Sequence, residues 1–212
     1  MRSVLSLNSK TIDTSIIFWP SFVDMLTSVL MIFLLAYFLQ TTLGLEDVEA
    51  QILRQSQEQF AGVFTQEFAG EIGQNTVGIR QSLNLIQITF SDRILFQSGE
   101  YNLQPNGRAA LRRCASIFKK AAKSGYKQIQ VEGHTDDQPV THFGYPRDNW
   151  ELSAGRAISV VKFFVDETSL DPKLFSATGY SEYQPVDPSP GGRAKNRRIE
   201  IRVFFETPSG RK

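Results

Sequence analysis

Hydrophobic positions divide the chain into three regions of different periodicity. Residues 15–40 are almost continuously apolar, residues 41–83 carry apolar side chains at helical spacing, and residues 84–206 alternate between strand and helix patterns. At a rise of about 1.5 Å per residue, Ile16–Leu39 would form a helix about 36 Å long, enough to cross a hydrocarbon core of about 30 Å. The pattern therefore predicts a single N-terminal transmembrane helix over 15–40, preceded by a short tail over 1–14.

The charges that flank this segment predict its orientation. Arg2 and Lys10 precede it, whereas Glu46, Asp47 and Glu49 follow it. Basic residues stay on the cytoplasmic side, so we expect a cytoplasmic N-terminus and an external C-terminal region. The main alternative is a cleaved signal peptide, which would have a shorter apolar region without an acid and would end in a small-residue cleavage site.

One acidic residue, Asp24, lies inside the apolar segment, and Ser21, Thr27 and Ser28 stand three or four residues from it. A helix would collect these polar side chains on one stripe. An ionised acid at the bilayer centre costs about 2.5–3.5 kcal/mol, and a protonated one costs far less. Asp24 therefore either pairs with a basic residue on a partner helix or takes up a cation on one side and releases it on the other. Both interpretations require helices from another membrane protein.

Residues 41–83 are expected to form a helical connector. Apolar residues between Leu45 and Phe68 fall near one helix face, although Gln55 and Ser56 interrupt the stripe. The interruption leaves open whether the helix pairs with a second copy of the chain as a coiled coil. Three glycines then end the helical pattern: Gly70, Gly73 and Gly78.

Residues 84–206 are predicted to form an α/β sandwich in which one sheet carries two helices on a face. Pro105 opens the first predicted helix, and Asp148 followed by Glu151 predicts a capping box at the start of the second. The predicted strands are 84–90, 126–133, 174–180 and 196–206, the predicted helices are 105–122 and 148–167, and a tail follows over 207–212.

Composition narrows the classes of function. The 212 residues carry 23 Lys and Arg against 22 Asp and Glu, so that a net charge of +1 gives no indication of nucleic-acid binding. The single cysteine, Cys114, excludes an internal disulfide and a cysteine-based zinc site. It lies in a helical pattern, where we expect a packed small hydrophobic residue and not a reactive thiol.

Three polar motifs coincide with predicted strand and helix ends: GHTDD at 133–137, NWELSAGRA at 149–157 and GGRAKNRR at 191–198. Each one alone allows a structural interpretation. Asp136 would cap a strand end and form an ion pair with Arg156. Arg197 and Arg198 adjoin an alternating strand in a domain that is not strongly basic, which disfavours a nucleic-acid patch.

These motifs also bear on metal binding and catalysis. His134 lies beside Asp136 and Asp137, but the sequence shows no further ligands at metal-site spacing, so we expect no metal. No nucleophile elbow, phosphate-binding loop or pair of catalytic carboxylates is present in the sequence. We therefore expect no catalytic residues and no enzyme.

In this order, Gly-His-Thr-Asp, Asn-x-x-Leu-Ser-x-x-Arg-Ala and Gly-Arg-Ala-x-Asn-Arg-Arg resemble the OmpA-like peptidoglycan-binding domain over residues 84–206. Asp24-x-x-Thr27 in a single N-terminal span resembles the B-subunit of ion-driven stators, the MotB family. The resemblance implies a single-pass protein of the bacterial inner membrane whose periplasmic domain binds peptidoglycan. It also implies that Asp24, with Thr27 and Ser28 beside it, carries a proton or a sodium ion, with no bound cofactor.

The ligand in that family is a peptidoglycan stem peptide, whose diaminopimelate carries an amine and a carboxylate. The resemblance implies that Asp136 meets the ammonium group and that Arg156 holds the carboxylate through its planar fork. The further candidates from the same motifs are Asn149 and Leu152, which share a helix face with Arg156, and secondarily Thr135 and Arg197.

Family stators place two B-subunits inside a ring of five A-subunits, which implies a multi-span A-subunit as partner and a homodimer of this chain. The short tail and the order Phe22-Val23-Asp24 depart from flagellar B-subunits and resemble the B-subunit of Zorya antiphage systems, ZorB. The resemblance therefore favours an antiphage motor over a flagellar one. A passive tether between membrane and wall, without ion flow, is the alternative from a different class.

Overall fold

The computed structural model describes residues 14–121, 125–141, 144 and 146–206. The predicted tails over 1–14 and 207–212 lie outside these residues apart from Thr14, as do Arg2 and Lys10, on which the expected orientation depends. The described helices are α1 (Thr14–Glu67), α2 (Ala69–Gly73), α3 (Asp92–Leu95), α4 (Pro105–Ala121), α5 (Asn149–Lys162) and α6 (Arg193–Asn196). The described strands are β1 (Val77–Ser82), β2 (Leu85–Ser91), β3 (Tyr126–His134), β4 (Phe175–Gly179) and β5 (Arg198–Phe205).

The chain divides into two compact units, Met1–Val48 and Glu49–Lys212. In the first unit, Trp19–Thr42 is 24 residues long with a mean hydropathy of 2.2, which makes it long and apolar enough to cross a membrane. The predicted N-terminal apolar helix is thus confirmed. Helix α1 continues to Glu67, so no helix end separates the predicted span from the predicted connector.

The second unit contains one five-stranded sheet with the strand order β1-β2-β5-β3-β4. All neighbouring strands are antiparallel except β3 and β4, which are parallel. Ile201 on β5 lies opposite Ile88 on β2 and opposite Val131 on β3, and all three side chains are fully buried. Because side chains alternate along a strand, one face of the sheet is apolar and the other is polar. The predicted α/β sandwich is confirmed.

Helices α4, α5 and the last turns of α1 supply the residues that cover the apolar face. Phe60 and Phe64 on α1 and Phe68 directly after it stand four residues apart, and all three are buried. The rings of Phe64 and Phe68 stack with centroids 4.5 Å apart, and Phe60 lies 5.9 Å from Phe118 on α4. Burying one such ring contributes about 1.5–3 kcal/mol, so the end of α1 is an integral part of the core.

The domain boundary predicted at residue 84 needs correction. The sheet begins at Val77, because β1 pairs with β2 over six residues, from Val77↔Phe90 to Ser82↔Leu85. Residues assigned to a connector therefore contribute both a strand and core aromatics. Strand β1 escaped prediction because only two of its residues are apolar and Gly78 separates them, so it shows little of the period-two pattern.

Two local predictions in the helices have mixed outcomes. Cys114 is fully buried in α4 and burial raises the pKa of its thiol, which confirms it as a packed residue. At the start of α5, the Glu151 N–H donates to Asp148 Oδ1 at 2.8 Å, as a cap requires.

The second half of the predicted capping box is displaced by one residue. The Glu151 carboxylate accepts from the backbone N–H of Arg147 at 2.8 Å, and not from that of Asp148. The same carboxylate also accepts from Arg147 Nε at 2.8 Å. Glu151 therefore holds the residue that precedes the cap, which fixes the entry of the chain into α5.

Helix α5 approaches the sheet closely at two glycines. A Cβ atom on Gly133 would lie 2.1 Å from the carbonyl oxygen of Ser153, and one on Gly179 would lie 2.6 Å from the backbone nitrogen of Ala154. Both obstacles are helix backbone, which cannot move without displacing α5. The helix thus lies directly on the ends of β3 and β4 because neither glycine has a side chain.

We predict that Gly133→Ala lowers the free energy of unfolding by about 1–3 kcal/mol, because the new methyl group must push α5 from the sheet. The matched control is Gly78→Ala, where the nearest atom to the new Cβ lies 3.8 Å away. Urea unfolding of the Glu49–Lys212 unit, followed by circular dichroism, measures both. Equal midpoints for the two variants would contradict the close packing of α5.

Candidate functional site

The candidate site forms where three strands end at one edge of the sheet. The register places Ser91, the last residue of β2, and His134, the last residue of β3, on either side of Arg198, the first residue of β5. The residues just beyond these ends therefore converge: Asp92, Thr135, Asp136 and Arg197. Helix α5, held on the sheet by its glycine contacts, adds Asn149, Leu152 and Arg156.

Four of these side chains form a chain of alternating charge, which we call the charge cluster: Asp136, Arg197, Asp92 and Arg156. Arg197 Nη1 forms an ion pair with Asp136 Oδ2, and Arg197 Nε lies 3.7 Å from Asp92 Oδ2. Arg156 Nη1 lies 3.2 Å from the same Asp92 oxygen. The cluster holds two acids and two guanidinium groups, so it is neutral overall while each charge faces its opposite.

Arg156 is the most deeply buried member of the cluster, with 2% of its surface exposed. Its Nε donates to the carbonyl oxygen of Glu100 at 2.9 Å, and the guanidinium lies 5.2 Å from the centroid of the Phe96 ring. Burial lowers the pKa of Arg156, and the Asp92 carboxylate opposes that shift. Burial likewise raises the pKa of Asp92, and Arg156 and Arg197 oppose it. Each charge is thus tolerated because the other is present.

Asn149 fixes the loop that carries Asp136. Its side-chain amide lies 3.2 Å from the carbonyl oxygen of Asp136, 2.9 Å from that of Gln138 and 2.7 Å from Glu182 Oε2, and it donates to all three. The amide therefore links the loop after β3 to the loop after β4. Leu152, one turn along α5, is buried beside it.

Thr135 and Arg197 differ in their exposure. The backbone N–H of Thr135 donates to the Ser181 carbonyl at 2.9 Å, and its buried hydroxyl has no hydrogen-bond partner among the described residues. Arg197 leaves 40% of its side chain exposed, against 8% for Asp136. Arg197 is thus the member of the charge cluster that solvent reaches most easily.

The structure brings all six sequence-predicted residues of the domain to one place, but the ion pairs differ from those expected. Asp136 and Arg156 were expected to pair with each other if they were structural. Instead Asp136 pairs with Arg197, and Arg156 pairs with Asp92. Asp92 was missed. The signal for it was present, because it is an acid directly after an alternating strand, and Asp136 likewise follows its strand closely.

A cleft of about 400 Å³ adjoins the cluster on the polar face of the sheet. Asp92 and Arg197 line it, whereas Asp136 and Arg156 do not. Its walls are rich in cations, namely Arg80, Arg93, Lys195, Arg197 and Arg198. A volume of this size is typical of sites for small ligands, and it opens onto the Asp92–Arg197 side of the cluster.

His134 belongs to a different group from the one considered in the sequence. It faces Glu132 and Glu200, and the potential ligand atoms of these three buried residues lie within 4.8 Å of one another. However, Arg202 Nε lies 3.2 Å from Glu132 Oε2, and Arg198 Nε lies 2.6 Å from Glu200 Oε1. The two guanidinium groups already neutralise both carboxylates, which disfavours a cation there.

In the first unit, helix α1 carries the residues predicted for the ion path. Asp24, Thr27 and Ser28 stand at helical spacings of three and four, and the Thr27 hydroxyl donates to the backbone carbonyl of Asp24 at 2.9 Å. This bond occupies the Thr27 hydroxyl hydrogen and leaves its oxygen free to accept. The helix therefore places the Thr27 hydroxyl one turn from the Asp24 carboxyl.

Comparison with known proteins agrees with this architecture. Residues 95–198 match the OmpA family. The cell wall anchor of the T6SS from Pseudomonas aeruginosa is 31% identical with a TM-score of 0.59, over 67% of this chain and 96% of that one. The periplasmic domain of Helicobacter pylori MotB is 26% identical with a TM-score of 0.54, over 62% of this chain and 83% of that one.

Among curated proteins, Motility protein B of Bacillus subtilis (strain 168) is 32% identical over 119 residues, which are 55% of this chain and 44% of that protein. The chain spans about half the length of the curated relatives it matches. The sheet, the site and these similarities define the second unit as an OmpA-like domain. The chain carries this domain, which is similar to the periplasmic domain of MotB, after one N-terminal apolar helix.

The buried His134 predicts a pH dependence of stability. Burial lowers its pKa from 6.5 to about 4, with the charge of Arg198 acting in the same direction. Between pH 7 and pH 5 the unfolded chain takes up a proton that the folded domain excludes. The free energy of unfolding should therefore fall by about 2 kcal/mol over this range as pH decreases.

The variant His134→Gln should lose this part of the pH dependence, whatever its absolute stability. Burial raises the pKa of the neighbouring Glu132 above its ordinary value. A raised carboxyl pKa stabilises the folded domain as pH decreases, which opposes the effect of His134. Glu132 is present in both proteins, however. Urea unfolding at pH 7 and pH 5 therefore isolates His134. Parallel pH profiles for the two proteins would contradict a neutral, buried imidazole.

Proposed function

We propose that the chain is the B-subunit of an ion-driven rotary motor of the inner membrane, anchored to peptidoglycan by its OmpA-like domain. The observation that carries the proposal is the presence, in one chain, of an acid inside an apolar helix and of a charge cluster in an OmpA-like domain. Neither the apolar helix nor the charge cluster suggests catalysis, so we propose that the chain is non-enzymatic.

The charge cluster suits a zwitterionic ligand group such as the side chain of diaminopimelate. Its ammonium would meet Asp136 and its carboxylate would meet Arg156, with Arg197 giving up its bond to Asp136 as the ligand enters. Because the cluster and the ligand are both neutral, this exchange leaves no charge unpaired. Arg156 Nη1 already lies 3.2 Å from Asp92 Oδ2, so the ligand carboxylate would share this guanidinium with Asp92.

The remaining predicted residues would act around these two contacts. Asn149 would hold the Asp136 loop in place, and Leu152 would pack beside the ligand stem. Thr135 has a buried hydroxyl without a hydrogen-bond partner among the described residues, which supports a role in donating to the ligand. In this proposal, Asp92 positions both guanidinium groups.

The apolar helix would cross the inner membrane once, with a cytoplasmic N-terminus and a periplasmic domain. Asp24 would bind a proton or a sodium ion, with Thr27 and Ser28 lining the path. A single helix cannot enclose an ion path, so a multi-span A-subunit is required. By resemblance to family stators, two copies of this chain would stand inside five A-subunits.

Within this class we propose a Zorya-type antiphage motor, on the basis of the order Phe22-Val23-Asp24. A flagellar stator subunit is the second candidate, and the similarity to Motility protein B favours it. Challenging a deletion strain with phage and scoring its swimming separates the two. A passive tether is the third candidate, because one similar structure is a cell wall anchor.

We predict that Asp24→Asn abolishes ion flux through the complex with the A-subunit, because an amide cannot gain and lose a cation. The control variant Asp24→Glu keeps the carboxyl group and should retain part of the flux. Ion flux into proteoliposomes under a membrane potential measures both. Undiminished flux through Asp24→Asn would contradict the role of Asp24 as ion carrier, and an unaltered complex that conducts no ions would favour the passive tether.

For wall binding, we predict that Asp136→Asn weakens binding to peptidoglycan about 10- to 100-fold, because a charge-assisted hydrogen bond contributes about 1.5–3 kcal/mol. Asp137→Asn is the matched control, since Asp137 is the adjacent acid but is exposed and paired with Arg193 at 2.6 Å. Co-sedimentation with purified sacculi measures the affinity. Equal loss in both variants would contradict a specific role for Asp136, and released muropeptides would contradict a non-enzymatic protein.

A further inference from the structure

Two exposed aromatic side chains stand beside the charge cluster, and we call them the aromatic platform: Trp150 and Tyr183. Trp150 is 52% exposed and Tyr183 is 66% exposed, although their rings stack with centroids 5.5 Å apart at an interplanar angle of 30°. Among the described residues of the Glu49–Lys212 unit, no other aromatic side chain is exposed. Nothing in the fold or in the proposed ion pairs requires them.

Asn149 links the aromatic platform to the loop that carries Asp136. Trp150 follows Asn149 in the chain, and Tyr183 follows Glu182. The Asn149 amide donates both to the Glu182 carboxylate at 2.7 Å and to the Asp136 carbonyl at 3.2 Å. One amide therefore joins the two halves of the platform to the loop that carries Asp136.

The turn that carries Tyr183 is fixed by backbone hydrogen bonds to the end of β3. The Tyr180 N–H donates to the Gly133 carbonyl at 2.9 Å, and the Thr135 N–H donates to the Ser181 carbonyl at 2.9 Å. The Ser181 N–H donates to the Ser153 hydroxyl on α5 at 3.0 Å. The platform is thus held in position before any ligand arrives, which lowers the entropy cost of binding.

Exposed rings of this kind match one face of a sugar. The C–H bonds on one side of a pyranose ring carry partial positive charge, and the face of an aromatic ring carries partial negative charge. Trp and Tyr also lose little conformational entropy on binding, because each has only two side-chain torsions. The exposed outer face of such a stacked pair, beside a polar site, is therefore suited to the apolar face of a carbohydrate.

The spacing along α5 agrees with the covalent structure of peptidoglycan. Trp150 lies six residues before Arg156, which is a rise of about 9 Å along the helix. Diaminopimelate is the third residue of the stem peptide, so two residues separate it from the muramic acid, and the three residues together span about 10 Å when extended. When the third residue lies at Arg156, the sugar that carries the stem can reach Trp150.

We propose that the aromatic platform is a glycan subsite, in which Trp150 and Tyr183 contact the pyranose ring that bears the stem peptide held at Asp136 and Arg156. This inference rests on the proposed binding of peptidoglycan and extends it from the peptide to the sugar. The domain thereby distinguishes stem peptides still attached to glycan strands from peptides that wall hydrolases have released.

Trp150 itself reports on this subsite, because the chain contains only two tryptophans, Trp19 and Trp150. In full-length protein carrying Trp19→Phe, purified in detergent, Trp150 is the only indole. Two probes are compared: the free stem tripeptide containing diaminopimelate, and the same tripeptide attached to the disaccharide. We expect both to bind, the disaccharide form about tenfold more tightly, and only the disaccharide form to change the Trp150 emission.

Variants of the aromatic platform distinguish a direct contact with the sugar from an indirect effect of the substitution on the fold. Tyr183→Leu keeps an apolar side chain but removes the ring, and Trp150→Ala removes the other ring. Each should reduce the tenfold preference to about one while leaving the affinity for the free tripeptide unchanged. Ile158→Ala is the control, because Ile158 is also exposed on α5 and should leave both affinities unchanged.

The outcomes separate this inference from the function on which it rests. If neither probe binds the unaltered protein, the proposed function fails and the subsite fails with it. If both probes bind equally and the Trp150 emission stays unchanged, only the glycan subsite is overturned. If the platform variants change the oligomeric state of the protein but not the preference for the disaccharide, the platform is a contact between copies, and the inference is wrong.

Discussion

The site depends on one buried ion pair, that of Arg156 with Asp92. A guanidinium with 2% of its surface exposed would be strongly destabilising without a counter-charge, since an uncompensated buried charge costs about 3–5 kcal/mol. Asp92 provides that charge at 3.2 Å and also faces Arg197, which in turn binds Asp136. The position of every charged group in the site therefore depends on residues from four different elements being held in register.

The fold meets this requirement through backbone geometry. The ends of β2 and β3 and the start of β5 meet at one edge, and this strand register places Asp92, Asp136 and Arg197 together. Gly133 and Gly179 let α5 lie directly on β3 and β4, so that Arg156 reaches Asp92. Asn149 then links the loops that follow β3 and β4, and this link is also what places Trp150 and Tyr183 beside the site.

The sequence predicts the strands and helices of this domain better than it predicts which charged side chains pair with each other. Strands β2, β3 and β5 and helices α4 and α5 follow from periodicity, because the apolar side chains on each face one core. Strand β1 does not follow from periodicity, since the apolar pattern of its own residues is weak and the strand is stabilised by its pairing with β2. The polar motifs identify six residues of the site, but which acid meets which arginine depends on the register between strands more than a hundred residues apart, as in the pair Ser91↔Arg198. That is why Asp92 was missed, and why His134 lies with Glu132 and Glu200 and not with Asp136 and Asp137.

The charge cluster is proposed to recognise a zwitterion, a group that offers both an ammonium and a carboxylate. The most direct measurement is the affinity of the full-length protein for two stem tripeptides that differ only in the third residue, diaminopimelate or lysine, determined by isothermal titration calorimetry. Lysine keeps the ammonium and lacks the carboxylate, so we expect its affinity to be lower by about tenfold or more. Equal affinities would show that Arg156 and Arg197 hold no ligand carboxylate, and the cluster would then be a structural ion-pair network alone.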